Sequence, residues 1–246
     1  MRYVAALALL LTACSQPKQE KKAEQPPAYF KADPATAASV KGTVRFTGKV
    51  PPAKRISMDA EKACQDLHQT PVMEQTVLAG KDGALANAFV YVKTGLEGKV
   101  FEPVQEAVVL EQRGCQFIPR VMAVRTRQTI RIRNSDPVSH NIHPMPKNNR
   151  DWNQQQAPQA EDLQRRFGFP EVIIPVKCNI HAWMKSYVAV LDHPFFAVTD
   201  ATGTFSFAGL PPGDYTIAAW HENFGEITQA VTLAASESGT ATLVYR

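Results

Sequence analysis

The chain has 246 residues, with 44% hydrophobic and 20% charged side chains and a formal net charge of +4. This composition is ordinary for a globular protein, and the length suits one large or two small domains. The basic residues are not interleaved with aromatic residues that could stack on bases, which argues against a nucleic-acid-binding protein.

The N-terminus predicts an export signal. Residues 3–11 form an apolar run that is too short to cross a bilayer. The run ends at Leu11, Thr12, Ala13 and Cys14, which together resemble the lipobox of bacterial lipoproteins. This resemblance implies that residues 1–13 are a cleaved signal peptide and that Cys14 carries a lipid anchor. With Ser15 next, it implies a cell-envelope protein that faces the periplasm, anchored at the outer membrane. A plain secretory signal with a chance cysteine is the alternative.

Residues 14–39 are rich in Lys, Glu, Gln, Pro and Ala, with little apolar content to bury. This composition predicts a disordered tether between the anchor and the folded part.

The remainder predicts β-strands throughout. Residues 41–48 and 129–133 alternate between apolar and polar side chains, and further short β-rich runs follow one another between Pro, Gly, Asn and Asp. Many short strands at this spacing indicate an all-β fold of one or two sandwiches. Residues 57–68 predict a turn or two of helix, and the polar segment 144–168 predicts a long loop.

Residues 40–44 and 85–92 resemble the start of a carboxypeptidase regulatory-like domain, and residues 198–207 and 209–215 resemble the rest of it. That family is a small transthyretin-like β-sandwich with a scaffold role. The resemblance implies one domain formed by residues 40–100 and 194–246, with residues 101–193 inserted into it. Three consecutive modules, the first incomplete, are the alternative.

The inserted segment contains the side chains that suggest chemistry. Cys178 and His181 have two residues between them, and His140 is followed directly by Asn141. Copper that cycles between two oxidation states favours a thiolate, two imidazoles and a weak axial donor. A Cys and a His at this spacing can reach one ion from a single loop, and a neighbouring strand can supply the remote His.

These stretches resemble the cupredoxins, the plastocyanin-like blue copper proteins. The resemblance implies a Greek-key β-sandwich over residues 101–193 with one copper ion in a type 1-like site. Cys178 would supply the thiolate, His140 and His181 the imidazoles, and Asn141 hydrogen bonds that fix the loops. A buried structural cysteine beside two chance histidines is the alternative.

The fourth ligand stays open. Met184 is the axial candidate, although only two residues separate it from His181, where plastocyanin-like loops usually have four. Ordinary core packing is its alternative role. His143 could replace His140, add a ligand or face solvent, and strand alternation predicts that it points away from His140. Met145 is an outside candidate.

The cysteine count fits this picture. With Cys14 lipidated, three cysteines remain in an oxidising compartment, where two can pair and one is odd. A metal-bound thiolate accounts for an odd cysteine. Once the resemblance assigns Cys178 to the metal, Cys64 and Cys115 are the disulfide pair, which would tie the outer domain to the insert.

Six arginines are close together in the sequence of the insert. A solvated sheet face explains them most simply, and a docking patch for an acidic redox partner or anionic lipid is the alternative. They are Arg113, Arg120, Arg125, Arg127, Arg131 and Arg133.

The resemblances together imply an exported copper-binding protein that transfers single electrons, an electron carrier rather than an enzyme. Its partner would be a redox protein such as a cytochrome or dehydrogenase. Proteins with similar sequence features are often called methylamine-utilisation-like. A surface structural or adhesive β-sandwich protein with a non-redox or empty site is one alternative. A mononuclear copper enzyme is another. Copper storage or delivery, or zinc in the same Cys-His-His site, also stays open.

Overall fold

The structure, a computed structural model, describes residues 28–246. The predicted signal peptide, the lipobox with Cys14 and the first part of the predicted tether lie outside the described residues. Within residues 28–246, no helix is long and apolar enough to span a bilayer.

The described chain forms sixteen strands and one short helix, so the all-β prediction is confirmed. The helix, α1, lies inside the segment for which a helical turn is expected. The elements are β1 (Ala38–Phe46), α1 (Lys62–Gln65), β2 (Phe89–Thr94), β3 (Val108–Gln112), β4 (Phe117–Ile118), β5 (Val121–Arg125), β6 (Ile130–Asn134), β7 (His140–Pro144), β8 (Gln154–Gln156), β9 (Leu163–Arg165), β10 (Glu171–Lys177), β11 (Lys185–Leu191), β12 (Phe196–Val198), β13 (Thr204–Leu210), β14 (Gly213–His221), β15 (Gly225–Leu233) and β16 (Ser238–Tyr245).

One pair of sheets combines strands from both ends of the described chain. Its sheets have the strand orders β13-β1-β16 and β12-β2-β14-β15. Exposed and buried positions alternate along β16, as expected for a strand with one face in a core. That alternation places Ala241, Leu243 and Tyr245 in a core shared with Val40 and Ile217.

The second pair of sheets uses only the strands between β2 and β12. Its sheets have the orders β5-β11-β10-β7-β8 and β4-β3-β6-β9. Leu110, Ile132, Ile142, Ile174 and Val188 belong to the core between them. Because β7 pairs with β10 and β10 with β11, the start of β7 lies beside the loop that joins β10 to β11. This arrangement positions the candidate metal ligands.

The two sandwiches contact each other directly. A third apolar cluster joins Phe89 and Ala218 of the first sandwich to Val121 and Ala189 of the second. Beside it, Arg120 donates to both carboxylate oxygens of Glu222, at 2.7 and 2.6 Å. The Tyr187 hydroxyl also donates to Glu222, at 3.2 Å. The side chains of Arg120 and Glu222 are only 14% and 5% exposed, so this ion pair lies inside the contact.

Residues 28–39 differ from the tether expected there. The Phe30 N–H donates to the Val100 carbonyl at 2.6 Å, and the Phe30 ring packs against Phe101. Strand β1 already begins at Ala38. The predicted disorder of residues 14–39 is therefore wrong for this part, because an aromatic ring and strand pairing hold it against the first sandwich.

The polar segment 144–168 is not one long loop, contrary to expectation. It contains β8, which pairs with β7, and β9, which pairs with β6. Gln156 in β8 is buried, and its side-chain amide donates to the carbonyls of Ile132 and Glu161, both at 3.1 Å. Its Oε1 accepts from Gln112 at 2.7 Å. A buried glutamine in a strand is stable here because its polar atoms are satisfied.

The six arginines between residues 113 and 133 do not form one solvated face free of internal contacts. Arg120 and Arg125 are largely buried, and Arg125 donates to the Asp192 carbonyl at 2.7 Å. Arg131 and Arg133 both donate to the carboxylate of Asp162. Internal contacts therefore use most of the charges proposed as a docking patch.

The ion pair between the sandwiches generates a stability prediction. Glu222→Gln removes the carboxylate and leaves the Arg120 guanidinium buried without its counter-charge, which should lower the free energy of unfolding by about 3 kcal/mol. The measurement is equilibrium denaturation in urea. Asp66→Asn, which breaks the exposed Lys62–Asp66 pair, should cost less than about 1 kcal/mol. If both variants lowered the free energy of unfolding by the same amount, the buried ion pair would contribute no more to stability than the exposed one.

Candidate metal centre

The loop between β10 and β11 folds tightly around the Cys178 sulfur. The Cys178 N–H donates to the Met184 carbonyl at 3.2 Å, and the Met184 N–H donates to the His181 carbonyl at 3.0 Å. The backbone N–H groups of His181 and Asn141 both point at Cys178 Sγ, each at 3.3 Å. Two N–H donors at one sulfur favour its thiolate form.

Three buried side chains converge beside this loop. His140 comes from the start of β7, and its Nδ1 lies 3.0 Å from Nδ1 of His181. Cys178 Sγ lies 4.0 Å from the same His181 nitrogen. The donor atoms of all three residues lie within 4.8 Å of one another. The three residues are at most 2% exposed.

This donor set fits a single metal ion. Typical bond lengths are about 2.0 Å from a metal to an imidazole nitrogen and about 2.3 Å to a thiolate sulfur, so one ion can contact donors that are 3.0 and 4.0 Å apart. A thiolate with two imidazoles suits copper or zinc and is poorly matched to magnesium or calcium, which favour oxygen ligands.

Asp136 fixes the orientation of His140, and the sequence analysis missed it. Its Oδ2 lies 2.7 Å from Nε2 of His140. The same carboxylate accepts the backbone N–H groups of Gly114 at 2.6 Å and Cys115 at 2.8 Å. When His140 donates a hydrogen bond from its Nε2–H group to Asp136, its unprotonated Nδ1 is free to bind a metal. An aspartate four residues before a candidate ligand was the available signal.

The pKa directions follow from these contacts. Burial raises the pKa of the Cys178 thiol, but the hydrogen bonds from His140 and the backbone outweigh it, so the pKa lies below its usual value. Burial and the neighbouring His140 lower the pKa of His181. Burial lowers the pKa of His140, but its bonds to Asp136 and Cys178 outweigh it, so this pKa is raised. A metal at Nδ1 of His140 therefore competes with a proton for that nitrogen.

The outer edge of His181 is covered by a distant part of the chain. Its Nε2 lies 3.7 Å from Sγ of Cys64, in α1, and 3.9 Å from the Glu61 carboxylate. Cys64 forms a disulfide with Cys115. The Trp183 ring lies against the His181 ring, with centroids 5.1 Å apart. The indole Nε1 of Trp183 donates to the Cys115 carbonyl at 3.0 Å. The disulfide therefore holds α1 over the imidazole.

Asn141 links strand β7 to the β10–β11 loop. Its Oδ1 accepts the Asn179 N–H at 3.0 Å, and its amide nitrogen donates to Asn153. Asn179 belongs to the β10–β11 loop, so this contact holds that loop against β7.

The remaining candidate ligands lie in different surroundings. Met184 is 1% exposed in the core under the loop, and its backbone closes the loop. His143 lies outside the group of three donors, because its Nε2 is 3.3 Å from Asp151 and its Nδ1 is 3.3 Å from Asn179 Oδ1. Met145 is 38% exposed.

A family model of the carboxypeptidase regulatory-like domain matches residues 187–245. The match covers β12 to β16 and also most of β11, which pairs within the second sandwich. The chain matches no curated protein.

Part of the chain is similar to solved cupredoxin structures, all at low identity. A purple cupredoxin from Nitrosopumilus maritimus is 17% identical over 35% of this chain and 99% of its own, with a TM-score of 0.29. Amicyanin from Paracoccus versutus is 15% identical over 41% of this chain and 96% of its own, with a TM-score of 0.31. A Cu-containing nitrite reductase from Thermus scotoductus is 19% identical over 41% of this chain but only 25% of its own, with a TM-score of 0.33. At these scores the similarities do not bear on the ligand set.

The role of Asp136 can be tested by Asp136→Asn. The amide cannot accept hydrogen bonds from His140 and from both backbone N–H groups at once, so copper affinity should fall about 10- to 100-fold. Competition with a chelator measures this. Asp151→Asn is the matched control, because Asp151 contacts His143, and it should leave the affinity unchanged. Equal affinities for the two variants would show that Asp136 does not position the ligand.

Proposed function

We propose that this chain binds one copper ion through His140, Cys178 and His181 and exchanges single electrons with a redox protein partner. The observation that carries the proposal is the convergence of two imidazole nitrogens and one sulfur, buried and within 4.8 Å of one another. When bound there, copper supplies a one-electron change of oxidation state.

The surrounding residues favour a site that stays in place when the charge changes. Two backbone N–H groups hold the Cys178 sulfur, and Asp136 holds His140. On the other side, Cys64 and Trp183 pack against His181. Donors held from several directions need little rearrangement, which suits electron transfer. Met184 is the proposed axial donor, because it is buried at the end of the loop that begins with Cys178.

The burial of the metal donors favours an electron carrier over a copper enzyme. A copper enzyme needs a path by which substrate reaches the ion, and the described residues leave all three donors at most 2% exposed. An electron can reach such a site from a docked protein without opening it.

The strand pairing supports an architecture in which a regulatory-like domain carries the metal-binding segment. Residues 40–100 and 194–246 would form the regulatory-like domain, and residues 101–193 would form the cupredoxin-like insert. We propose that the protein is exported and anchored through Cys14 at the outer membrane, facing the periplasm. The short apolar run and lipobox-like residues at its N-terminus support this part.

The visible spectrum of residues 28–246 with added Cu(II) tests the function. An intense thiolate-to-copper band should appear, and Cys178→Ala should abolish it. His143→Ala is the control and should keep it, because His143 faces Asp151. Ascorbate should bleach the band and ferricyanide should restore it.

A colourless copper complex, or a band that survives Cys178→Ala, would contradict the thiolate assignment. A band that does not return after reduction and reoxidation would contradict the carrier function and favour storage or a structural site.

A further inference from the structure

A second group of potential metal donors lies on the other side of the same two histidines. Cys115, Asp136 and His140 offer donor atoms within 4.8 Å of one another, and all three are buried. Cys64 adds a second sulfur, because it is bonded to Cys115 and lies 3.7 Å from Nε2 of His181. While the disulfide is intact, neither sulfur is a thiolate, so this group is not a metal site.

We propose that reduction of the Cys64–Cys115 disulfide creates a second metal site, which takes one Cu(I) ion. Its donors are the thiolates of Cys64 and Cys115, with the Asp136 carboxylate beside them. These thiolates are not donors of the first site, so this proposal stands separately from the proposed function.

The reductant is a dithiol. One of its thiolates attacks a sulfur of the disulfide and forms a mixed disulfide, and its second thiol then displaces the protein sulfur. Cys64 and Cys115 gain two electrons and two protons, and the dithiol becomes a disulfide. Binding of Cu(I) then releases the two thiol protons.

The segment that contains α1 is held lightly enough to admit a reductant. The helix has only four residues and no side-chain cap, and Cys64 is its only buried residue. The neighbouring residues Gln65, Asp66 and Leu67 are exposed. Segments with few buried contacts open locally at low free-energy cost.

The geometry and the donor types select Cu(I). The Cα atoms of Cys64 and Cys115 are 5.6 Å apart, so both thiolates can reach one ion without moving the backbone far. Paired thiolates are soft ligands that favour Cu(I). Zn²⁺ in a structural site usually takes four nitrogen or sulfur ligands. Beside the two thiolates lie the Asp136 carboxylate, which already accepts two backbone N–H groups, and Nε2 of His181, whose ring faces the first site through Nδ1.

The site has a defined relation to the first one. The His181 ring lies between them, with Nδ1 toward Cys178 and Nε2 toward Cys64. Asp136 likewise contacts both His140 and the backbone of Cys115. The reduced protein would therefore hold two copper ions in adjacent sites.

The test is an anaerobic Cu(I) titration against a competing chelator, before and after dithiol treatment and removal of the reductant. The oxidised protein should take one ion, and the reduced protein one more. Cys178→Ser, which removes the first thiolate, should take an ion only when reduced. Cys64→Ser and Cys115→Ser each keep one free thiol of the pair and should take no second ion.

X-ray absorption of the reduced Cys178→Ser protein loaded with Cu(I) should show two sulfur neighbours. The proposal is overturned if reduction does not add one ion to the number that the wild type takes, if reduction adds an ion to either single-serine variant, or if copper in the reduced Cys178→Ser protein has fewer than two sulfur neighbours. Failure of the first site alone would leave the reduced Cys178→Ser result unchanged, so the two proposals can fail independently.

Discussion

The Asp136 carboxylate joins two parts of the chain around the candidate metal centre. It binds Nε2 of His140 and accepts the backbone N–H groups of Gly114 and Cys115, next to the disulfide. A carboxylate buried in this way is stable only with its partners in place, since each unsatisfied bond would leave a desolvated charge. The orientation of His140, the turn at Cys115 and the cover over His181 therefore depend on one another.

The sequence alone predicted the all-β class and singled out the three side chains that converge. Cys178 and His181 lie on one loop, so their spacing carries most of the information, and the odd cysteine count supports it. The position of Asp136 four residues before His140 was a weak signal by comparison, because an aspartate in a Ser-Asp-Pro turn usually faces solvent. The contact of Cys64 with His181 joins residues 117 positions apart, and only the folded chain shows it.

The segment 144–168 shows why polarity misleads a sequence-based prediction. Glutamine-rich stretches resemble loops, because their side chains match neither an apolar face nor a strand pattern. Gln156 is nevertheless buried, since Gln112 and the carbonyls of Ile132 and Glu161 satisfy it. The arginines illustrate the converse, since alternation along β6 suggested an exposed patch while Asp162 binds Arg131 and Arg133. In both cases a tertiary partner, which the local pattern cannot show, determines the surroundings of the side chain.

In the proposed site, one thiolate and two imidazoles hold a single metal ion in an arrangement fixed by the fold. Copper-edge X-ray absorption of the disulfide-bonded protein, loaded with one equivalent of copper, tests it most directly. We expect one short sulfur and two nitrogen neighbours, with little change between Cu(II) and Cu(I). A shell of nitrogen and oxygen alone, or a ligand set that changes between the two oxidation states, would contradict it.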